Sequence, residues 1–341
     1  LGGVIAAGGL LALQPLMRLL GSTDTILPEA EAYAVPILLA APFQCSSLAL
    51  AQCLRAEGKS KESMAGQLAG GLLNIVLDPL FIYTLGMGIR GAGAATALSQ
   101  VVGGTVPLFY FARKNSSILR LGRTSFDGRA ILKACTNGSS EFMSNVSMNI
   151  VGMLYNTQLL KFAGENGVAA YGVMMYVSMI FSAAFIGYSI GTAPVVSYHD
   201  GARNFPELKS LLRKSLVVIG LFGVCMVASA ELLSSRLARM FVGYDAALME
   251  LTVSGFQIFA LSFIFMGFAI YGSSFFTALN DGLTSAAISF LRTLVFQVAA
   301  VLLLPTIWDI DGIWMSIVVA EFMAVVLTAA FLATKRRKYH Y

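Results

Sequence analysis

Charge is what this sequence has least of. Only 12% of its 341 residues are Asp, Glu, Lys or Arg, about half the share usual in a soluble domain. Hydrophobic residues make up 57%, and the mean hydropathy is +0.76. Those proportions exclude an ordinary soluble enzyme and imply a polytopic membrane protein. Histidine is nearly missing: His199 and His340 are the only two, which argues against a His-based metal or catalytic site. The four cysteines, Cys45, Cys53, Cys135 and Cys225, are scattered without metal-type spacing in or beside apolar segments. They read as small hydrophobes and not as a disulfide framework. No His or His/Cys cluster falls in an apolar run, so an intramembrane enzyme lacks its usual inventory. The net charge of +5 points to no nucleic acid, because the basic residues sit mostly in connections between apolar runs. Residues 1–17 also lack a basic n-region and do not read as a signal peptide. The sequence opens on Leu1 and reads as if it began partway through a longer protein.

What is abundant is long apolar runs. Ten are expected to cross a hydrocarbon layer about 30 Å thick: 1–20, 30–54, 62–84, 91–112, 130–160, 166–195, 212–234, 247–276, 283–305 and 312–334. Pro36 and Pro42 fall in the second and are expected to bend it. Basic residues alternate from connection to connection. Arg55, Lys59 and Lys61 share a side with the cluster around 113–133, with Arg203, Lys209, Arg213 and Lys214, and with Lys335 to Lys338. Arg18, Arg90, Lys161, Arg236 and Arg239 fall on the other side. The positive-inside rule then makes the C-terminus cytoplasmic, in a multi-pass protein of the plasma (inner) membrane. Asn115-Ser-Ser matches a glycosylation sequon but is expected to stay unmodified on that side.

A repeat organises the chain. Leu-Leu-Gly at 19–21 and Phe-Val-Gly at 241–243 lie 222 residues apart, as do Leu54-Arg-Ala-Glu-Gly and Phe276-Thr-Ala-Leu-Asn. Gly91-Ala-Gly and Gly312-Ile-Trp lie 221 apart. Parallel repeats of this kind build many transporters. The expected fold is all-α, with two pseudo-symmetric helical lobes of six helices each in the parent architecture. Residues 1–112 would hold four helices of the first lobe, 113–127 a cytoplasmic linker, 128–334 the six-helix second lobe and 335–341 a basic tail. By the same offset about 94 residues of the first lobe are missing, room for two spans.

Polar groups inside the apolar runs are the candidate site. Asn74 and Asp78, four apart, share a helix face, with Gln67 nearly on it. A carboxylate at this depth costs at least a few kcal/mol unless it faces protein or water. An ion or proton site is one reading; a cap on a neighbouring helix, or on the break at Pro79, is the other. Glu141, Asn145, Asn149, Gly152 and Asn156 form a second stripe within about 80° of a helical wheel. It would line a wet cleft, or bond helices together with Asn as the glue. Arg292 alone of the basic residues sits well inside a span and is expected to pair with a carboxylate or helix end, Glu321 being a candidate.

The motifs Leu54-Arg-Ala-Glu-Gly, Asn74-Ile-Val-Leu-Asp-Pro, Gly91-Ala-Gly-Ala-Ala, Ala169-Ala-Tyr-Gly, Gly191-Thr-Ala-Pro-Val-Val-Ser-Tyr and Gly312-Ile-Trp, in this order and spacing, resemble those of the multidrug and toxic compound extrusion (MATE) transporters. The resemblance implies twelve helices around a central cleft and export of organic cations or amphipathic compounds, driven by inward Na⁺ or H⁺. It implies a cation-coupling site at Tyr33, Asn74, Asp78 and Thr96, completed by a first-helix Asp in the part that is missing. It makes Glu141, with Asn145, Asn149 and Asn156, a substrate-cleft candidate. The partner carboxylate that some members carry on the tenth helix has no match in 247–276, where Glu250 lies near the outer end. No cofactor is implied beyond Na⁺ as coupling ion; the partners are a small cationic or amphipathic substrate and the bilayer, and the protein would act as a monomer. A lipid-linked-sugar flippase of the same superfamily is the rival, but it would call for a strongly basic cleft. A truncated fragment that does not transport is the other.

Overall fold

The computed structural model describes residues 2–19, 26–113, 117–119, 122 and 127–341. The Asn115 sequon, Lys114, Arg120, Arg123 and residues 20–21 of the first repeat mark lie outside them. Every regular element among the described residues is helical, and the contacts divide the chain into two units, Leu1–Ser125 and Phe126–Tyr341.

The first unit is built from α1 (Gly2–Leu11), α2 (Leu13–Leu19), α3 (Leu27–Ala56), α4 (Ser60–Pro79), a π-helical turn (Leu80–Thr84) and α5 (Gly88–Ala112). Small residues set its packing. A Cβ at Gly104 would stand 2.5 Å from the Phe43 carbonyl oxygen, and one at Gly93 2.6 Å from that of Tyr33. The two contacts rise together along α3 and α5, so these helices run parallel. Gly66 meets Pro107 and Gly103, and Gly70 meets Ser99, so α4 runs antiparallel to α5. Apolar side chains gain little from leaving lipid for each other, and close backbone approach is what membrane helices have instead. The helix α3 continues through both Pro36 and Pro42.

The second unit contains α6 (Gly128–Gly201), α7 (Phe205–Val242), α8 (Ala246–Ala260), α9 (Ser262–Ala278), α10 (Gly282–Phe290), a π-helical turn (Leu291–Phe296), α11 (Gln297–Leu303) and α12 (Pro305–Tyr339). Carboxylates and an amide start four of these helices: Asp127, Asn204, Asp245 and Asp281 each accept a hydrogen bond from a first-turn backbone N–H, as N-cap residues do. Unbroken, the 74 residues of α6 would run roughly 110 Å. Gly164, at φ 62° and ψ −152°, breaks them into two spans, and its positive φ is one that glycine tolerates. Trp308 and Asp309 break α12 in the same way, and α8 and α9 meet at a bend of 46°. Among the described residues seven helices are long and apolar enough to cross a membrane, or eight when the bent pair α8–α9 is taken as one span. The core is aromatic: Trp314, Tyr155, Tyr271, Phe259, Phe263, Phe275 and Phe276 are all buried. Residues 335–338 lie inside α12, not in a separate tail.

The repeat is visible in backbone detail. Gly58 and Asn280, 222 apart, both adopt positive φ, 75° and 60°. Lys59 N donates to Leu54 O and Asp281 N to Phe276 O, each at 2.9 Å; Gly58 N donates to Arg55 O and Asn280 N to Thr277 O. Both helices thus end in the same left-handed cap, where Gly and Asn are the residues with the least strain.

Candidate cation and substrate site

The α4 helix brings Asn74 and Asp78 to one face, and Asn74 Nδ2 donates to Asp78 Oδ1 at 3.4 Å. Both side chains are half-buried. Close approaches set the level of the other candidates. The α4–α5 contacts step from Gly66 opposite 103–107, through Gly70 opposite 99–103, to Phe81 opposite Gly91. Asn74 and Asp78 therefore stand at the level of residues 93–97, which includes Thr96. Gly93 in turn packs on the backbone of Tyr33. All four residues of the expected coupling site fall at one height of the first unit. Together they offer a carboxylate, an amide oxygen and two hydroxyls, an oxygen donor set suited to a hard cation or a proton. Pro79 ends α4 directly after Asp78, and the π-helical turn follows. Proline removes one rung of the helix ladder, and π turns often accompany functional sites.

The second unit is not equipped in this way. The repeat carries Tyr33 to Gly255, Asp78 to Ala300 and Gly93 to the Trp314 region. There the small and large partners are exchanged. A Cβ on Gly255 would lie 2.8 Å from the Trp314 ring, and Trp314 is 1% exposed.

The stripe on α6 is exposed at Glu141, Asn145, Asn149 and Asn156. Among the described residues, the amides of Asn145 and Asn149 bond to their own helix. Asn145 Nδ2 donates to Glu141 O at 2.8 Å and Asn149 Nδ2 to Asn145 O at 2.9 Å, each one turn back on their own helix. A Cβ at Gly152 would meet nothing within 4 Å. This face is polar and unpacked, which argues against the glue reading. Asn156 lines a cavity of about 530 Å³ with Thr157, Leu160, Glu165, Val168 and Ala169. Glu165, just after the Gly164 break, gives that cavity its carboxylate, which the stripe pattern does not reach.

Arg292 sits on the second π-helical turn. Its guanidinium donates Nε–H to Glu321 Oε2 at 2.8 Å and Nη2–H to Oε1 at 2.8 Å. Arg292 is therefore paired within its own unit.

Known proteins place the chain. The MatE family model matches residues 1–80 and 142–302. The multidrug export protein MepA of Staphylococcus saprophyticus is 25% identical over 94% of this chain and 70% of its own length. The MepA of Staphylococcus haemolyticus is 25% identical over 99% of this chain and 74% of its own. Among solved structures, an outward-facing multidrug resistance MATE family transporter of the MOP superfamily is 26% identical, with a TM-score of 0.93, over 99% of this chain and 76% of that one. A MOP superfamily transporter from Pyrococcus furiosus, whose binding pocket is described as reversed in polarity, is also 26% identical, with a TM-score of 0.92, over 100% of this chain and 76% of that one. With most of its length matched by the family model and its helices superposing on these structures, the chain belongs to the MatE family of membrane transport proteins.

Proposed function

We propose that the protein is a secondary transporter that exports small organic cations or amphipathic compounds in exchange for inward Na⁺ or H⁺. The observation that carries this reading is the Asn74–Asp78 pair, half-buried at the level of Thr96 and Tyr33 and followed at once by a proline and a π turn. Loading a cation or proton on Asp78 removes a net negative charge from a low-dielectric site. The neighbouring backbone already lacks a regular hydrogen-bond ladder, so it rearranges at low cost. A charge change beside a deformable turn is a means of biasing two states of the unit. The exposed stripe from Glu141 to Asn156, ending in a cavity that also holds Glu165, is the surface for the substrate, with carboxylates for a cationic head and Leu160 and Val168 for an apolar body. Substrate and ion each disfavour the other's bound state, as exchange requires. The alternation of basic connections supports a cytoplasmic C-terminus.

The test is dye efflux by the full-length protein in vesicles, with a Na⁺ gradient alone and a pH gradient alone, comparing wild type with Asp78→Asn. Efflux that follows one gradient and is lost in the variant, with the protein folded, supports the reading. Normal efflux by Asp78→Asn makes Asp78 structural and sinks it.

A further inference from the structure

Gln100 is a polar group of the first unit that the exchange reading leaves unused. It is half-buried on α5, one turn from Thr96. Its Oε1 is buried and has no hydrogen-bond partner among the described residues. A buried amide oxygen without a partner is costly, and such groups are rare enough to call for an explanation.

The direction of the side chain follows from the close approaches of the helices. Gly93 and Gly104 mark the side of α5 that meets α3, and Ser99 and Gly103 the side that meets α4. On a helical wheel Thr96 and Gln100 lie about 40° apart, both between those two sides. Both therefore project toward the space between α3 and α4. The heights also agree. Gly70 packs against Ser99 and Gly103, so Gln100 starts at the level of Gly70, one turn from Asn74. Helical side chains lean toward their own N-terminus. Because α4 and α5 are antiparallel, Gln100 leans toward the level of Asn74, and Asn74 toward that of Gln100. Asn74 uses its Nδ2 on Asp78 and has its Oδ1 left for another partner.

The second unit shows what this place can hold. The 221-residue offset that matches Gly91 with Gly312 also matches Gln100 with Glu321, and the 222-residue offset of the helix ends matches Gly70 with Arg292. Gly91 and Gly312 pack alike, each on the backbone just upstream, at Phe81 and at Leu304. Glu321 takes its cation from within the chain, because Arg292 donates to both of its oxygens. In the first unit the match of Arg292 is Gly70, which has no side chain to offer, and the oxygen at the matching place is the unpaired one.

We propose that Gln100 Oε1 is a ligand for Na⁺ in the first unit. A neutral amide oxygen coordinates a hard cation but takes up no proton near neutral pH. It therefore adds to Na⁺ affinity alone, beside Asp78, Asn74 and Thr96, and makes Na⁺ the ion that this site selects. The placing of the ion at Asp78 rests on the exchange reading; the part of Gln100 in holding Na⁺ is measured without export.

Calorimetric titration of the purified full-length protein with NaCl, against choline chloride at the same pH, tests it. Gln100→Leu is expected to bind Na⁺ roughly tenfold more weakly, the worth of one lost polar contact. Gln100→Glu, which keeps an oxygen in place, is expected to bind no more weakly than wild type. A lower melting temperature with unchanged Na⁺ affinity makes Gln100 structural and overturns the proposal, as does a wild type that binds no Na⁺. If Gln100→Leu does not fold, Gln100→Asn, which withdraws the oxygen by one methylene, takes its place with the same expectation. Asp78→Asn separates the two readings. If it binds Na⁺ like wild type while Gln100→Leu does not, the exchange reading fails at Asp78 and the Gln100 ligand stands.

Discussion

Gly93 presses on Tyr33 more closely than any side chain allows: a Cβ there would stand 2.6 Å from the Tyr33 carbonyl oxygen and 3.0 Å from its Cα. That contact sets the spacing of α3 and α5 at the height of Asp78. Gly93→Ala forces the helices apart. The expected cost is about 1–3 kcal/mol, the usual penalty of overpacking, together with loss of any cation-dependent rise in melting temperature. A melt in detergent, with and without Na⁺ and across pH, checks both. Gly71, whose Cβ would meet nothing within 4 Å, is the control, and Gly71→Ala is expected to leave the ion response unchanged.

Asp281 holds the end of α12. Its Oδ2 accepts from Tyr339 Oη at 2.8 Å and Lys335 Nζ at 3.2 Å, and Lys338 Nζ lies 3.7 Å away. Burial raises its carboxyl, but the hydrogen bonds from Tyr339, Thr284 and Lys335 outweigh that and bring it down from 3.8 to about 2. A carboxylate depressed in the folded state stabilises fully above its unfolded value and loses that contribution as pH falls through the folded one. The grip on α12 is therefore expected to be complete above about pH 4 and to weaken between there and about pH 2. Tryptic cleavage after Lys335 to Lys338 is expected to accelerate in Asp281→Asn at neutral pH. Cleavage no faster than wild type would show that the end of α12 is held by other means.

Glu57 makes a comparable attachment in the first unit. Its Oε1 accepts from Ser117 Oγ at 2.5 Å and from the backbone N–H groups of Ile118 and Leu119 at 3.1 Å each. The Ser117 bond, then the Leu119 N–H, hold its carboxyl below the usual range. Glu57→Gln keeps the shape but loses the charge. Faster hydrogen exchange at the Ile118 and Leu119 amides, with exchange in α4 unchanged, is the expected outcome.

The amides on α6 separate stability from function. Asn145 and Asn149 bond only to their own helix, so Asn149→Ala is expected to change stability by no more than about 0.5 kcal/mol. Dye efflux should nevertheless fall several-fold if the face contacts substrate. Unchanged efflux at unchanged stability would remove the stripe from the site.

Much of this was legible before any coordinates. Hydropathy reports depth directly, and every backbone group in lipid must be satisfied by helix, so the long apolar runs translate into spans. Asn74 and Asp78 are a local pair, and four-residue spacing carries them to one face. Tyr33 and Thr96 are different: their height beside Asp78 depends on Gly93 and Gly70, and a glycine's neighbours are not written in its own surroundings. The helix α3 continues through Pro36 and Pro42, and the break at Trp308–Asp309 falls in the connection expected between the runs 283–305 and 312–334, flanked by Pro305 and Gly312. The sequence reading does not single out the row Ser285, Ser289 and Thr293 or the row Ser273 and Thr277; that the hydroxyls of Ser273, Thr277, Ser285 and Ser289 meet is a tertiary fact.

The two matching caps at Gly58 and Asn280 also say something about time. Each sits on a turn whose side chains take hold of the chain about sixty residues later: Glu57 reaches Ser117 across 60 positions, and Asp281 reaches Tyr339 across 58. Neither attachment can form until the last helix of its own unit has been synthesised and has emerged. Each unit is therefore fastened only after its α5 or α12 has been made, and the first can be fastened before most of the second exists.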